Sequence, residues 1–204
     1  MDNKISGEII NRLTLYHCIL NNFIDRNLDS VSAKSLAKYL NIEDSQVIND
    51  IRFLNDPELC SEKYNVKILK TGIEKMLGFK KNKKAFIIGA GNLGMALAKY
   101  KDFENYGLTI LALFDNDKAK IGTMINNKPI LDIEKLPNLI RKSEVDIAIL
   151  TVPAKYAQVM ANYLIASNIK HIWNFAPVVL EVPKDVRVLN ENIMGHLLQF
   201  TYNM

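Results

Sequence analysis

The chain has 204 residues, 49% of them hydrophobic, enough apolar material for one large domain or two small ones. A formal net charge of +4 is mild, so the distribution of charge matters more than its total. No apolar run approaches a membrane span, Met1-Asp2-Asn3-Lys4 is too polar to begin a signal peptide, and Cys18 and Cys60 lie far apart without metal-ligand spacing. These features predict a cytoplasmic protein with reduced thiols, no metal site and no membrane segment.

Ile9, Ile10, Leu13, Tyr16, Ile19, Leu20 and Phe23 recur at helical spacing and predict a first helix. A second is expected over Ser32–Leu40, with Ser32 as its cap and Leu36, Ala37 and Leu40 facing inward. A third, over Asp44–Leu54, would bury Val47, Ile51 and Leu54. Three short helices, the last two joined by the turn Asn41-Ile42-Glu43, outline a helix-turn-helix. The strand-like Val66-Lys67-Ile68-Leu69 stands where a winged helix places its wing, although the pattern serves a small helical interaction domain equally well.

Lys80-Lys81-Asn82-Lys83-Lys84 reads as a charged hinge closing a first domain of residues 1–79. Beyond it, strands and helices alternate. Ala85–Ala90, Thr109–Phe114, Asp146–Val152 and Lys170–Phe175 are near-continuous apolar strands, and Leu93–Tyr100, Ile133–Arg141 and Tyr156–Ser167 are helical. Strands without alternation belong to a parallel sheet covered on both faces, so residues 85–188 are an α/β, doubly wound Rossmann domain. Residues 189–204 form a C-terminal helix. Its Ile193, Met194, Leu197, Leu198 and Thr201 make an apolar stripe that needs a groove, in this domain or in another subunit.

Directly after the first of these strands comes Gly89-Ala90-Gly91-Asn92-Leu93-Gly94, a GxGxxG opening a helix. Gly89 permits the tight turn, Gly91 lets the backbone approach a pyrophosphate, and Gly94 lets helix and strand pack closely; the helix amides then supply an anion site. The next strand ends in Asp115, 21 residues past Gly94, where an acid accepts hydrogen bonds from both ribose hydroxyls and repels a 2′-phosphate. That pattern favours NAD(H) over its phosphorylated form. The plainer alternative is a glycine turn that serves backbone packing alone, with Asp115 a solvated loop residue. Hydride-transfer enzymes usually need a placed acid–base group, yet His17, His171 and His196 all lie away from the C-terminal strand ends where the crevice of this fold opens. No catalytic residue is assigned, and the sequence reads as a dinucleotide sensor.

The helix-turn-helix outline followed by Gly89–Gly94 and Phe114-Asp115-Asn116-Asp117 resembles the Rex family of NADH-responsive transcriptional repressors. Lys120-Ile121-Gly122-Thr123, Ala148–Ala154 and Asn174-Phe175-Ala176-Pro177-Val178 are similar to that family's Rossmann segments, and Arg12-Leu13, Leu15-Tyr16 and Val31–Leu36 to its N-terminal domain. The resemblance implies a homodimer whose C-terminal helices cross between subunits. It also implies a reduced cofactor that favours a closed dimer unable to span its operator DNA, and an oxidised one that permits the DNA-binding form. The cofactor residues it implies are Gly89, Ala90, Gly91, Asn92, Leu93, Gly94, Asp115, Asn116 and Lys120. Its nicotinamide end would lie near Thr151, Val152, Pro153, Asn174, Phe175, Ala176 and Pro177. DNA contacts would fall at Ser32, Lys34, Ser45, Gln46, Asn49 and Arg52.

Departures from the family concentrate in the DNA-reading half. From Glu43 to Glu62 the one cation is Arg52, against Glu43, Asp44, Asp50, Asp56, Glu58 and Glu62, a balance of −5 on a stretch expected to be basic. The family couples cofactor to domain orientation through an Arg, a Tyr and an Asp. Here the Tyr is Tyr100, while Cys18 and Asn192 occupy the other two positions. The alternative to a repressor is therefore a cofactor-binding dimer that has lost operator recognition and acts through another partner; an NAD-dependent oxidoreductase is a more distant one.

Overall fold

Apolar residues at helical spacing, with Ser6 accepting the Ile9 amide as an N-cap, make Gly7–Asp25 the first helix, α1. The computed structural model describes residues 5–60 and 62–202. The polar start at residues 1–4, Ser61 of the acidic stretch, and residues 203–204 of the C-terminal segment lie outside the described residues. The chain divides into two units between Lys80 and Lys81.

In the first unit α1 is followed by β1 (Ser30–Ser32), α2 (Ala33–Leu40), α3 (Asp44–Arg52), β2 (Lys63–Asn65) and α4 (Val66–Leu77). Ser32 caps α2 by accepting the Ser35 amide, and left-handed Asn41 ends it. Leu13, Tyr16, Leu20, Leu36, Val47 and Leu69 are completely buried in one core, joined by Ile51 and Ile73. β1 and β2 pair antiparallel, Val31 opposite Tyr64, and make the small two-stranded sheet that flanks the helices of a winged helix.

The expected strand over Val66–Leu69 is instead the first turn of α4. Its β-branched residues suggest a strand, but Asn65 accepts the amides of Lys67 and Ile68 at 3.0 and 3.1 Å and starts a helix. Val66, Leu69 and Ile73 then share its buried face. The strand of this region is β2, directly before α4.

The second unit contains β3 (Lys83–Ile88), α5 (Asn92–Lys99), α6 (Asp102–Asn105), β4 (Leu108–Asp115), β5 (Met124–Ile125), β6 (Lys128–Asp132), α7 (Leu136–Ser143), β7 (Ile147–Leu150), α8 (Ala154–Ala166), β8 (His171–Asn174), β9 (Arg187–Asn190) and α9 (Ile193–Thr201). The sheet order is β5-β6-β4-β3-β7-β8-β9, parallel throughout except for the short β5–β6 pair. Without β5 this is the doubly wound Rossmann order, whose direction of winding reverses between β3 and β7. One apolar cluster packs around Phe86, Phe114, Ala148 and Leu164, another around Ile87, Leu113, Ala98 and Ile149.

Two boundaries differ from the sequence reading. Lys83 and Lys84 belong to β3 rather than to a hinge, their amides held by the Gly107 carbonyl and the Asp146 carboxylate at 2.8 Å each. A domain limit at residue 188 would cut β9, whose residues pair with β8 through Asn190.

Candidate functional site

The carboxyl ends of β3, β4 and β7 converge on the switch point, where the Gly89–Gly94 turn passes Asp115 and Thr151. Gly89 has φ +104°, and a side chain there would press on the Thr151 carbonyl and Val152. A Cβ at Gly94 would overlap the Gly89 carbonyl oxygen, so this glycine is demanded by helix–strand packing. A Cβ at Gly91, by contrast, would meet nothing within 4 Å, the open approach a pyrophosphate needs. The Thr151 hydroxyl donates to the Ile88 and Gly89 carbonyls at 3.1 and 2.8 Å and ties β7 to the turn. α5 has no side-chain cap, which leaves the first amides of Asn92 and Leu93 pointing to an exposed helix start.

Asp115 is held by the fold. Its carboxylate accepts the Ala90 amide at 2.8 Å and the Asp117 amide at 2.9 Å, and Lys120 Nζ stands 3.6 Å away. Burial would push this carboxyl up, but the Asp117 and Ala90 amides, with Lys120, outweigh it and hold it below the usual carboxylate value. Each oxygen retains a lone pair for a ribose hydroxyl. The Ala90 amide is thereby spent on Asp115 rather than free for a phosphate.

A cavity of about 420 Å³ opens beside this turn. Of the residues expected at a cofactor, Gly89, Gly91, Asp115, Asn116, Lys120, Thr151, Val152 and Pro153 line it. Ile133, Tyr156, Val159 and Met160 line it too, and sequence reasoning missed them. A signal was available: α8 buries Ala157, Ala161 and Leu164, so apolar residues at 156, 159 and 160 make a second apolar face that the sheet does not use.

Asn174, Phe175, Ala176 and Pro177 do not line that cavity. Asn174 is fully buried, its side-chain amide donating to the Ala176 and Val178 carbonyls and to Asn190, and its oxygen accepting the Ala176 amide. Its amide donors are thus committed to its own loop and to Asn190, and it holds the shape of that loop. Phe175 packs in an aromatic row with Trp173 and Phe103, ring centroids 4.9 and 5.9 Å apart.

Comparison with known proteins decides the family. Residues 80–178 match the model of the family described as "CoA binding domain", and residues 4–51 that of "Putative DNA-binding protein N-terminus". The redox-sensing transcriptional repressor Rex of Clostridium botulinum is 37% identical over 203 residues, 100% of this chain and 97% of that protein. The chain belongs to the Rex family. Two crystal structures of RSP, a Rex-family repressor 32% identical in sequence, each match 99% of this chain. One, in complex with NADH, is covered to 95% with a TM-score of 0.88; the other, with NAD+ and operator DNA, to 93% with a TM-score of 0.90. Rex proteins are transcriptional regulators, and the winged helix followed by a Rossmann domain is the architecture found here.

The family resemblance implies DNA contacts at six positions. Lys34, Ser45, Asn49 and Arg52 are exposed, and Ser32 is half-buried as the α2 cap. Gln46 differs: its amide turns inward and donates to Asp50 at 3.1 Å. Asp50 also leaves the expected acidic surface. It is fully buried, taking a two-pronged bond from Arg12 at 2.7 and 2.8 Å and the Tyr16 hydroxyl at 2.9 Å. Even so, Arg52 remains the one cation of the 43–62 stretch beside Glu43, Asp44, Asp56, Glu58 and Glu62 in sequence, and a groove of about 770 Å³ beside α3 is lined by both signs, including Lys34, Arg52, Asp44 and Glu62.

The coupling positions have local duties. Tyr100 is exposed and meets Phe103 edge-on at 5.1 Å. Cys18 is exposed on α1, and Asn192 caps α9 by accepting the Gly195 amide. Among the described residues no helix is long and apolar enough to cross a membrane.

Proposed function

We propose that this protein is a cytoplasmic, homodimeric, non-enzymatic transcriptional repressor that reads the NADH/NAD+ ratio through the cavity beside Gly89–Gly94. The observation that carries the reading is the joint geometry of an uncapped helix start, an open approach at Gly91 and a fixed, ionised Asp115 around one cavity. Gly89, Gly91, Asn92, Leu93 and Gly94 would cradle the pyrophosphate, Asp115 and Asn116 the ribose, with Lys120 beside them, and Thr151, Val152 and Pro153 the path toward the nicotinamide. Bound cofactor supplies a nicotinamide that is cationic when oxidised and neutral when reduced, and that difference is the signal. The loop of Asn174–Pro177 acts by its shape, because its Asn174 side chain is committed within the protein.

Asp115 makes the first test direct. Titration calorimetry should give NADH binding with little affinity for NADPH, and Asp115→Ala should weaken NADH by about 1–3 kcal/mol, the range for stranding a buried polar partner. NADPH binding as tight as NADH would contradict the assignment of the ribose to Asp115.

A second test concerns DNA. Mobility shift on a palindromic operator, with and without NADH, should show a complex that NADH dissolves. Lys34 is exposed at the start of α2, so Lys34→Ala in a dimer removes two phosphate contacts and should flatten the log–log salt slope by about 2. An unchanged slope would take Lys34 off the DNA backbone. The acidic run Glu43, Asp44, Asp56, Glu58 and Glu62 favours a second reading, a Rex-like dimer acting through another partner; absence of any shift at physiological salt would select it.

A further inference from the structure

α9 buries none of its residues, so within one subunit its direction is set at its root. Glu191 and Asn192 separate it from the end of β9 at Asn190. Asn192 caps the helix, and Glu191 is fixed twice. Its amide donates to the Asn174 carbonyl at 2.8 Å, and its carboxylate accepts the Trp173 indole N–H at 2.6 Å. An indole N–H is a donor only, and a carboxylate acceptor makes such a bond short and strong. The Asn174 side chain adds a third tie, donating to Asn190 while it holds the Ala176 and Val178 carbonyls.

Trp173 also ends a path that starts at the glycine turn. α5 opens at that turn and closes at Tyr100, which meets Phe103 edge-on at 5.1 Å. Phe103 meets Trp173 edge-on at 5.9 Å, and Trp173 lies 4.9 Å from Phe175 in the loop after β8. A helix moves as a rigid body, and close-packed rings pass a shift on rather than absorb it. A phosphate drawn onto the α5 start therefore acts on Tyr100, Phe103 and Trp173 in turn, and Trp173 carries the hydrogen bond to the α9 root. The charged relay implied by the family resemblance needs an Arg and an Asp where this chain has Cys18 and Asn192.

We propose that the Trp173–Glu191 bond is a latch inside one subunit through which an occupied dinucleotide site sets the direction of α9, in place of that charged relay. This rests on the assignment of the cavity beside Gly89–Gly94 to NAD(H). Trp173 and Glu191 are then positioning residues, acting on α9 without touching the cofactor. The coupling is reciprocal: a partner that holds α9 tightens the dinucleotide site by the same factor by which the dinucleotide restrains α9.

Hydrogen–deuterium exchange of the full chain, with and without saturating NADH, tests it. NADH should slow amide exchange at the Gly89–Gly94 turn, where it binds, and across α9 by about fivefold or more, the low end of coupling between two sites. Glu191→Ala and Trp173→Phe each delete the bond, the second while keeping a ring in the row. Both should keep the response of the turn and lose that of α9. Glu191→Gln, which still offers the indole a carbonyl acceptor, should retain both responses. Because the two residues make one bond, the double variant should behave as each single one does. An α9 unmoved by NADH in the parent chain, or one that still responds in both variants lacking the bond, overturns the inference and leaves the dinucleotide site in place. A turn that NADH does not protect removes the site and the inference together.

Discussion

Asp50→Asn should destabilise the N-terminal unit by about 3–5 kcal/mol, the scale on which removing one member of a buried ion pair leaves its partner uncompensated. Asp50 is fully buried and accepts four hydrogen bonds, two from Arg12 and one each from Tyr16 and Gln46. Burial would raise its pKa, but the bonds from Arg12, Tyr16 and Gln46 outweigh that and hold the carboxyl below its usual value. In the asparagine variant an amide N–H₂ would confront donors, and the Arg12 charge would have no counterion. Urea unfolding separates the two units, because the chain's one tryptophan, Trp173, lies in the second. Far-UV circular dichroism should show an early phase moved down by more than about 1 M urea, while the Trp173 fluorescence transition stays where it was. Coincident transitions, unmoved by the substitution, would show that the Arg12–Asp50 pair contributes nothing to stability.

The pH dependence of that unit follows in sign from the same carboxylate. Asp50 has a depressed pKa when folded, so its contribution is fully present above the unfolded value of about 3.9 and is lost as pH falls through the lower folded value. The parent should therefore lose stability on acidification below about pH 4 more steeply than Asp50→Asn, which has no such proton to take up.

How much of this was legible in the sequence depended on whether local signals agreed with one another. β3 from Ala85 to Ile88 and β4 from Ile110 to Phe114 are uninterrupted, largely buried apolar runs, and a glycine turn links the first to a helix, so the Rossmann half could be read directly. β6 was missed because Pro129 interrupts its ladder, and β9 because it is a four-residue edge strand with exposed ends. Val66–Leu69 was misread because β-branched residues were weighed without Asn65, whose cap starts a helix there. Asp50 was counted as surface charge, although it lies three residues after Val47 and directly before Ile51, on the stripe facing the core. Its partner Arg12 is 38 residues away, a pairing that periodicity along one helix cannot supply. Asn174 could be placed near the site by its position at a strand end, but whether its amide faced a ligand or its own loop was decided by Asn190 and Val178, contacts made only in three dimensions.

Truncation after Glu191 should convert the protein from dimer to monomer. α9 has no buried residue, and Ile193, Met194, Leu197, Leu198, Phe200 and Tyr202 are 49–85% exposed. Covering a side chain of this size is worth about 1.5–3 kcal/mol, so five of them on one short helix, with Tyr202 just past its end, are a strong drive to associate, and the isologous contact of a two-fold dimer covers both copies at once. The cut must spare Glu191. An earlier stop after Arg187 would remove most of β9, together with the Glu191 amide bond to the Asn174 carbonyl and its carboxylate bond to Trp173 Nε1 at 2.6 Å. That would damage the sheet and confuse loss of an interface with loss of a fold. Light scattering of the full chain should give about twice the chain mass of 23.2 kDa, and the chain ending at Glu191 should give a soluble monomer. Phe200→Asp, which keeps the helix and places a charge in the covered face, should dissociate the dimer in the same way. A truncated chain that stays dimeric, with its Trp173 emission unchanged, would remove α9 from the interface and leave its apolar stripe without the partner assigned to it.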